Sequence, residues 1–312
     1  SNYVRFYRSM KTPTVKQLRY FIALTESEHF GRAAERCFVS QSAFSNAIKE
    51  LETTLDAQLV DRTNRNVTVT ATGREVAVQA RLVLRDLDSL VEAARGQKEP
   101  LTGELRLGVI PTIAPFILPD ALPTLREQYP DLRLLLIEDQ TQRIYQRLMQ
   151  GELDVLLMAL PWEMHGVEQL CLFRDAFCLA CHVSTKHVDP HNYRFSRLDS
   201  DSILLLEDGH CLRDHALAAC KIRNTQKVSR FGASSLLTLI EMVDADLGVT
   251  FLPEMASGSS LLSNTQVKLH SLGEKSYREI GLVWRKGSGR AEEFDLLGEF
   301  LRSCRKVQAT IA

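Results

Sequence analysis

The sequence predicts a chain in three parts: a small helical unit carrying a strand pair, one long helix, and an α/β body. Three observations carry this. Apolar residues between 14 and 55 recur at helical spacing and are interrupted twice at short intervals. Val76, Ala80, Val83, Leu87, Leu90 and Ala94 step by alternating fours and threes through an unbroken segment. From residue 103 onward, short β-rich stretches alternate with helical ones, the pattern of an α/β body, and mainly parallel sheets are expected from it.

Composition sets the bounds. A chain of 312 residues holds two or three domains, and 45% hydrophobic with 25% charged residues is ordinary for a globular protein. No apolar run approaches the ~18–20 residues needed to span a bilayer, so no membrane partner is expected. Residues 1–13 fit none of the later patterns and are read as a tag-like lead. Seven cysteines without an export signal point to a reducing, cytoplasmic setting, where a disulfide is a signal and not a staple. The net charge of −1 is unevenly spread: residues 1–74 carry 11 Lys and Arg against 7 Asp and Glu, and the rest carries 27 against 32. A basic first unit on an acidic body is compatible with nucleic-acid binding by the first unit alone.

The first helix is expected over 14–27, with Leu18, Phe21, Ile22 and Leu24 on one face. A second short helix, 31–37, is followed by a tight turn at Phe38-Val39-Ser40. A third starts at Ser40 or Gln41, with Ala43, Phe44, Ala47, Ile48, Leu51 and Leu55 apolar. Its polar N-terminal face shows Ser40, Gln41, Ser42, Ser45, Asn46 and Lys49. Helices joined this way resemble a helix-turn-helix, whose second helix enters the major groove of double-stranded DNA. Gln and Asn can read adenine bidentately there. The Thr- and Val-rich stretch 61–70 reads as strand-turn-strand, with Arg62 and Arg65 placed for backbone phosphates. A solvated helix pair beside a hairpin explains the same pattern without DNA.

The long helix, 72–95, carries a heptad seam with no partner beside it in sequence, which implies a second copy of the chain. Gly96-Gln97-Lys98-Glu99-Pro100 breaks it and marks a domain boundary. Beyond it, strands are expected at 105–109, 132–138, 155–159, 169–173, 177–183, 203–206, 248–252 and 280–285. Helices are expected at 115–128, 141–150, 211–220, 234–245 and 290–308. About 210 residues is long for one open sheet, so two subdomains are expected.

One stretch organises the functional reading, Leu206 through Cys220. Cys211 and Cys220 stand nine positions apart around a helix-forming segment, with Asp208 and Gly209 as helix-start residues. A helix separates them by about 13.5 Å along its axis. A disulfide requires a Cα separation of ~4.4–6.8 Å. Helix and disulfide therefore exclude each other, and joining the sulfurs unwinds the helix. A helix N-terminus and the neighbours His210 and Arg213 would favour a Cys211 thiolate, which peroxide converts to a sulfenic acid that Cys220 can resolve. On spacing alone, two packed structural cysteines on an ordinary helix explain the pair as well.

Other features weigh less. Cys178-Leu179-Ala180-Cys181 lies in an apolar strand, where positions three apart face opposite ways, so packed cysteines are expected and not a metal site. Cys37 and Cys304 are read as packing or incidental, and Cys171 lies near the Cys178–Cys181 pair. No Gly-rich phosphate loop, dinucleotide fingerprint or hydrolase nucleophile motif is present, and no cofactor or metal is expected. A thiol peroxidase would need neither a recognition helix nor a dimerising one, so an enzyme is not expected.

Together these pieces resemble the LysR-type transcriptional regulators over roughly residues 14–308. The motifs are Phe30-Gly31-Arg32-Ala33-Ala34, Val39 through Ser45, Leu59-Val60-Asp61-Arg62 and Thr70-Ala71-Thr72-Gly73. Within that family Glu207-Asp208-Gly209-His210-Cys211-Leu212-Arg213-Asp214 is similar to the hydrogen-peroxide-sensing branch. So are Gly108 through Thr112, Glu138 through Thr141, Gly248 through Pro253 and Arg278 through Val283. The resemblance implies a winged helix-turn-helix at 14–71 and a dimerising linker helix at 72–97. It implies a two-lobed effector domain like a periplasmic binding protein, with subdomain I at 98–174 and 281–312 and subdomain II at 175–280. It assigns peroxide attack to Cys211 and resolution to Cys220, a peroxide pocket to Thr112, Thr141, His210 and Arg278, and support of the switch to Arg213 and Asp214. It implies a homodimer or homotetramer acting with RNA polymerase. His215 departs from the family's pattern, which has Gln there.

Overall fold

The computed structural model describes residues 12–62, 67–94, 99–194, 197–219, 225–273 and 275–311. The chain divides into an N-terminal unit, Ser1–Lys98 with Gln150–Glu152, and a larger unit comprising Glu99–Met149 and Leu153–Ala312. Among the described residues no helix is long and apolar enough to cross a membrane.

In the first unit, helices α1 (Val15–Ser27), α2 (Phe30–Arg36) and α3 (Gln41–Leu55) precede a two-stranded hairpin, β1 (Val60–Arg62) and β2 (Val67–Val69), and the long helix α4 (Ala71–Ala94). Local chemistry sets the boundaries. Thr14 and Gln17 form a reciprocal capping box that starts α1. The Ser40 hydroxyl accepts the Ala43 amide to start α3. Glu28 and Asp56 end α1 and α3 in the left-handed region. Phe21, Leu24, Phe44, Ile48 and Leu51 are fully buried, and Tyr20 stacks on Phe44 at 5.0 Å. Ala43, expected in this core, is exposed. Gly73 lets α4 begin against the hairpin, because a Cβ there would lie 2.2 Å from the Leu59 carbonyl oxygen.

The larger unit has two cores. The first lobe uses β3 (Gly103–Val109), α5 (Ala114–Gln128), β4 (Leu132–Glu138), α6 (Thr141–Met149), β5 (Val155–Leu160) and the first half of β6 (Val167–His182). The chain returns to it through β9 (Tyr277–Arg285) and α9 (Ala291–Ile311). The second lobe uses the rest of β6, α7 (Cys211–Ala219), α8 (Leu236–Asp244), β7 (Thr250–Pro253) and β8 (Val267–Ser271). Strand order is β4-β3-β5-β9-β6-β7, with β8 also on β6.

Three expectations are corrected. The sheets are mixed: β3 pairs in parallel with β4 and β5, whereas β5–β9, β6–β9, β6–β7 and β6–β8 are antiparallel. Alternation in sequence hid this, because β9 returns from far along the chain and enters between β5 and β6. The strands expected at 169–173 and 177–183 are one continuous strand bulged between Cys171 and Phe173. Residues 203–206 make only isolated bridges from Ile203 and Leu206, and β8 arises where no strand was expected.

Where β6 passes from one lobe to the other, Asp175 stands opposite Arg278 of β9. Arg278 Nε donates to Asp175 Oδ2 at 3.0 Å, and both side chains are fully buried. The other carboxylate oxygen accepts the Met255 amide at 3.2 Å. Removing one partner of a buried pair strands a charge and costs about 3–5 kcal/mol. Asp175→Ala is therefore expected to lower unfolding stability by that amount in denaturant titration. Asp175→Ala combined with Arg278→Met recovers a large part, and a double variant no better than the single one contradicts the assignment.

Candidate functional site

Helix α7 lies between the two cores and divides its side chains between them. Cys211 packs with the first-lobe core, while Leu212 and Ala216 pack with the second. The turn ahead of the helix is held in two ways. Arg213 donates to the Leu206 carbonyl at 3.2 Å and pairs with Asp208 at 3.1 Å. Gly209, at φ +97°, lets the turn close on Gln140, whose Oε1 would be 2.8 Å from a Cβ there. The helix begins at Cys211, where it was expected, with Asp208 and Gly209 in the turn ahead of it. Asp214 is exposed in its first turn, where a negative charge opposes the positive helix end.

Cys211 is 2% exposed. Thr141 and Arg278 act on its sulfur, Thr112 is bound by Arg278, and His210, the residue before it, is buried. Arg278 donates to the Thr112 hydroxyl at 3.0 Å and to its carbonyl at 2.8 Å. The Thr141 hydroxyl is buried without a hydrogen bond of good geometry and lies beside the Cys211 sulfur.

Burial pushes the Cys211 thiol up; Thr141 and the Arg278 charge pull it down, and Asp214 adds to the rise. This corrects the local expectation of a thiolate. Removal from water outweighs the helix end, and Arg213 is turned toward Asp208 instead of the sulfur. One residue of the site escaped the sequence reading, and another stood out there only as a departure from the family's pattern. Asp175 orients Arg278, and only the β6–β9 register reveals it. His215, one turn after Cys211, holds its Nε2 3.1 Å from the Pro161 carbonyl. Cys220 lies outside the described residues.

The second candidate surface is on α3. Ser40, Gln41, Ser42, Asn46 and Lys49 are exposed along it and Ser45 is half-buried. Phe44, Ile48 and Leu51 hold the opposite face in the core. Arg65 lies outside the described residues, and of Arg62 only the backbone, in β1, is described. On α4 the seam residues Val83 and Leu90 are exposed, Leu90 at 64%, and Val91 lies exposed beside them. An apolar groove of about 720 Å³ runs along the same unit, lined by Pro13, Leu18, Leu55, Val76, Ala80 and Val83 among others. No cluster able to hold a metal ion is found among the described residues.

Residues 15–74 match the family described as bacterial regulatory helix-turn-helix protein, lysR family, and residues 98–305 match the LysR substrate binding domain. The chain is 40% identical over 301 residues to the HTH-type transcriptional regulator EstR of Acinetobacter baylyi, covering 96% of this chain and 98% of that one. It is 36% identical over 289 residues to the DNA-binding transcriptional dual regulator OxyR of Escherichia coli, covering 93% and 95%. Among solved structures it is similar to a hydrogen-peroxide-bound mutant of Corynebacterium glutamicum OxyR. That likeness has a TM-score of 0.64 and 35% identity, over 96% of each chain.

The remaining thiols give a test of the packing. Cys171 is exposed, whereas Cys178 and Cys181 are buried and pushed up by desolvation, Cys178 to about 11. A raised thiol keeps its proton until the pH passes its folded value, so Cys178 stays unreactive through the range where ordinary thiols ionise. Iodoacetamide should modify Cys171 well before Cys178 and Cys181, with the lag closing only near that value, as site-resolved mass spectrometry reads. Equal rates near neutral pH contradict the burial.

Proposed function

The chain belongs to the LysR family of DNA-binding transcriptional regulators, and is OxyR-like within it; we propose that it is a cytoplasmic peroxide sensor switched by a reversible Cys211–Cys220 disulfide and controlling oxidative-stress genes. Members of the family are regulators of transcription and not enzymes. The observation that carries the proposal is the setting of Cys211. It heads a helix wedged between two cores, with Thr141 and Arg278 acting on its sulfur, Thr112 held by Arg278, and a second cysteine nine positions on. Hydroxyl and cationic donors suit a reaction that releases hydroxide.

In this reading the reduced protein keeps α7 helical. Peroxide oxidises Cys211, Cys220 resolves it, and closing the disulfide forces the helix apart because a nine-residue rise exceeds disulfide reach. The two lobes then repack against other copies of the chain. The apolar seam and groove on α4 suit pairing of two copies, and two pairs make the homotetramer. Their rearrangement shifts α3 of each copy on DNA and changes recruitment of RNA polymerase.

A second reading has one observation in its favour: EstR, at 40% identity, carries no peroxide in its name. In it a small metabolite enters between the lobes and the cysteines are passive. The two separate cleanly. Under the peroxide reading, peroxide lengthens or shifts the DNA footprint of the wild-type protein and leaves Cys211→Ser unchanged. An unaltered response in Cys211→Ser rejects the sulfur switch, and a thermal shift with metabolites but none with peroxide favours the second reading.

The DNA face generates its own expectation. Gln41→Ala or Asn46→Ala should cost about 1–3 kcal/mol on the cognate site and relax base preference there, whereas Lys49→Ala weakens binding to all sequences and lowers the salt slope by about 1. Fluorescence anisotropy over a salt series checks this; uniform losses for all three remove base reading from α3.

A further inference from the structure

His215 shares the inner side of α7 with Cys211. Residues four apart on a helix stand one above the other, with Cβ atoms ~5–6 Å apart. The following pair, Leu212 and Ala216, turns to the second lobe's core. Cys211 joins the first lobe's core, and His215 reaches the same lobe at the end of β5. Its Nε2 is 3.1 Å from the Pro161 carbonyl oxygen, which can only accept. Nε2 therefore carries the proton, and in the neutral ring Nδ1 is left as a bare acceptor. That Nδ1 is buried and has no hydrogen-bond partner among the described residues. An unmet buried acceptor is costly to keep, so its persistence one helical turn from a thiol calls for a use.

We propose, resting on the peroxide reading above, that His215 is the proton shuttle for Cys211. The Cys211 thiol gives its proton to His215 Nδ1 as the sulfur attacks the nearer peroxide oxygen. The O–O bond breaks, the sulfur is oxidised to sulfenic acid, and the departing hydroxide takes the proton from Nδ1 to leave as water. Thiol plus hydrogen peroxide thus gives sulfenic acid plus water, and the imidazole is returned unchanged.

The surroundings make the first half of the transfer uphill and the second downhill. Desolvation holds the Cys211 thiol up, so it does not ionise unaided near neutral pH. Burial, and secondarily the Arg278 charge, hold His215 below its ordinary value, while the Pro161 hydrogen bond and Asp214 partly offset this. The ring is therefore neutral and ready to accept, and once protonated it is a ready donor. The charged groups that act on it are Arg278 on β9, neutralised by Asp175 of β6, and Asp214 on its own helix, with Cys211 one turn before it. Arg278 lies in the field of both Cys211 and His215, and it stabilises the developing thiolate.

The test is the pH dependence of Cys211 oxidation in full-length protein with Cys220→Ser, so that the sulfenic acid persists for trapping by dimedone. His215→Gln keeps an N–H for the Pro161 carbonyl and removes the titrating acceptor. Near pH 7 it should oxidise Cys211 about 10- to 100-fold more slowly, with the gap narrowing as the pH rises toward the thiol's own range. The protein that retains His215 should lose rate as the pH falls through the lowered value of His215, and this limb is readable even if the Gln variant does not fold. Rates within twofold across the series, or no acid limb, overturn the proposal. Iodoacetamide modification of Cys211 in the same series reads the proton-accepting half without peroxide. If peroxide leaves Cys211 reduced in both proteins while the modification gap persists, the peroxide reading fails and the acceptor role stands. Ready oxidation with identical profiles keeps the peroxide reading and removes His215.

Discussion

The Arg278–Asp175 ion pair is the constraint on which the larger unit depends. It sits where β6 leaves the first lobe for the second, and both side chains are withdrawn from water. A buried charge tolerates little movement, since any loss of its partner leaves it uncompensated. Arg278 must therefore hold its place, and three further contacts follow from that. It fixes Thr112 through hydroxyl and carbonyl, and it lies against the Met255 sulfur at 3.8 Å. Its charge reaches Cys211 and His215 on α7.

In the proposed switch, this arrangement is what keeps a buried thiol chemically available. Burial alone makes Cys211 an inert core cysteine like Cys181. What distinguishes it is polar company in an apolar wall: a threonine hydroxyl beside the sulfur, a guanidinium within electrostatic reach, and an imidazole one turn along. The same helix is poorly placed to survive oxidation. Its outer pair, Leu212 and Ala216, belongs to one core, while Cys211 belongs to the other and His215 bonds to Pro161 beside it. Pulling the first turn out of register therefore disturbs both lobes at once. Local bond chemistry at one sulfur is in this way connected to packing on the scale of the domain.

Much of the fold was legible because it is written locally. Capping residues such as Thr14 and Ser40, and the apolar stripes of α1 and α3, placed the first unit within a residue or two. The helix α4 was legible for the same reason, although Val76 and Ala80 of its seam pack into the first unit's own core. What sequence could not show was pairing at long separation. Nothing in residues 169–183 says that two apolar stretches flanking Arg174-Asp175-Ala176 are one strand, because a buried aspartate interrupts the pattern that defines strands. It is tolerated only because Arg278, 103 positions away, neutralises it. The exposed polar residues of α3 and the buried residues near Cys211 were nameable from motifs. Their environment was not: neighbouring residues suggested a thiolate, and tertiary burial reversed that balance. The free Nδ1 of His215 likewise depends on the Pro161 carbonyl, which sequence gives no reason to place nearby.

Hydrogen–deuterium exchange across residues 211–219, followed before and after peroxide, bears most directly on the claim that helix and disulfide compete. Intact mass on the same samples records the two hydrogens lost on disulfide formation. Slow exchange through the segment in the reduced protein, and its collapse to that of open chain once Cys211 and Cys220 are joined, is the predicted result. A disulfide-bearing protein whose 211–219 amides remain as protected as before would contradict the competition on which the switch depends.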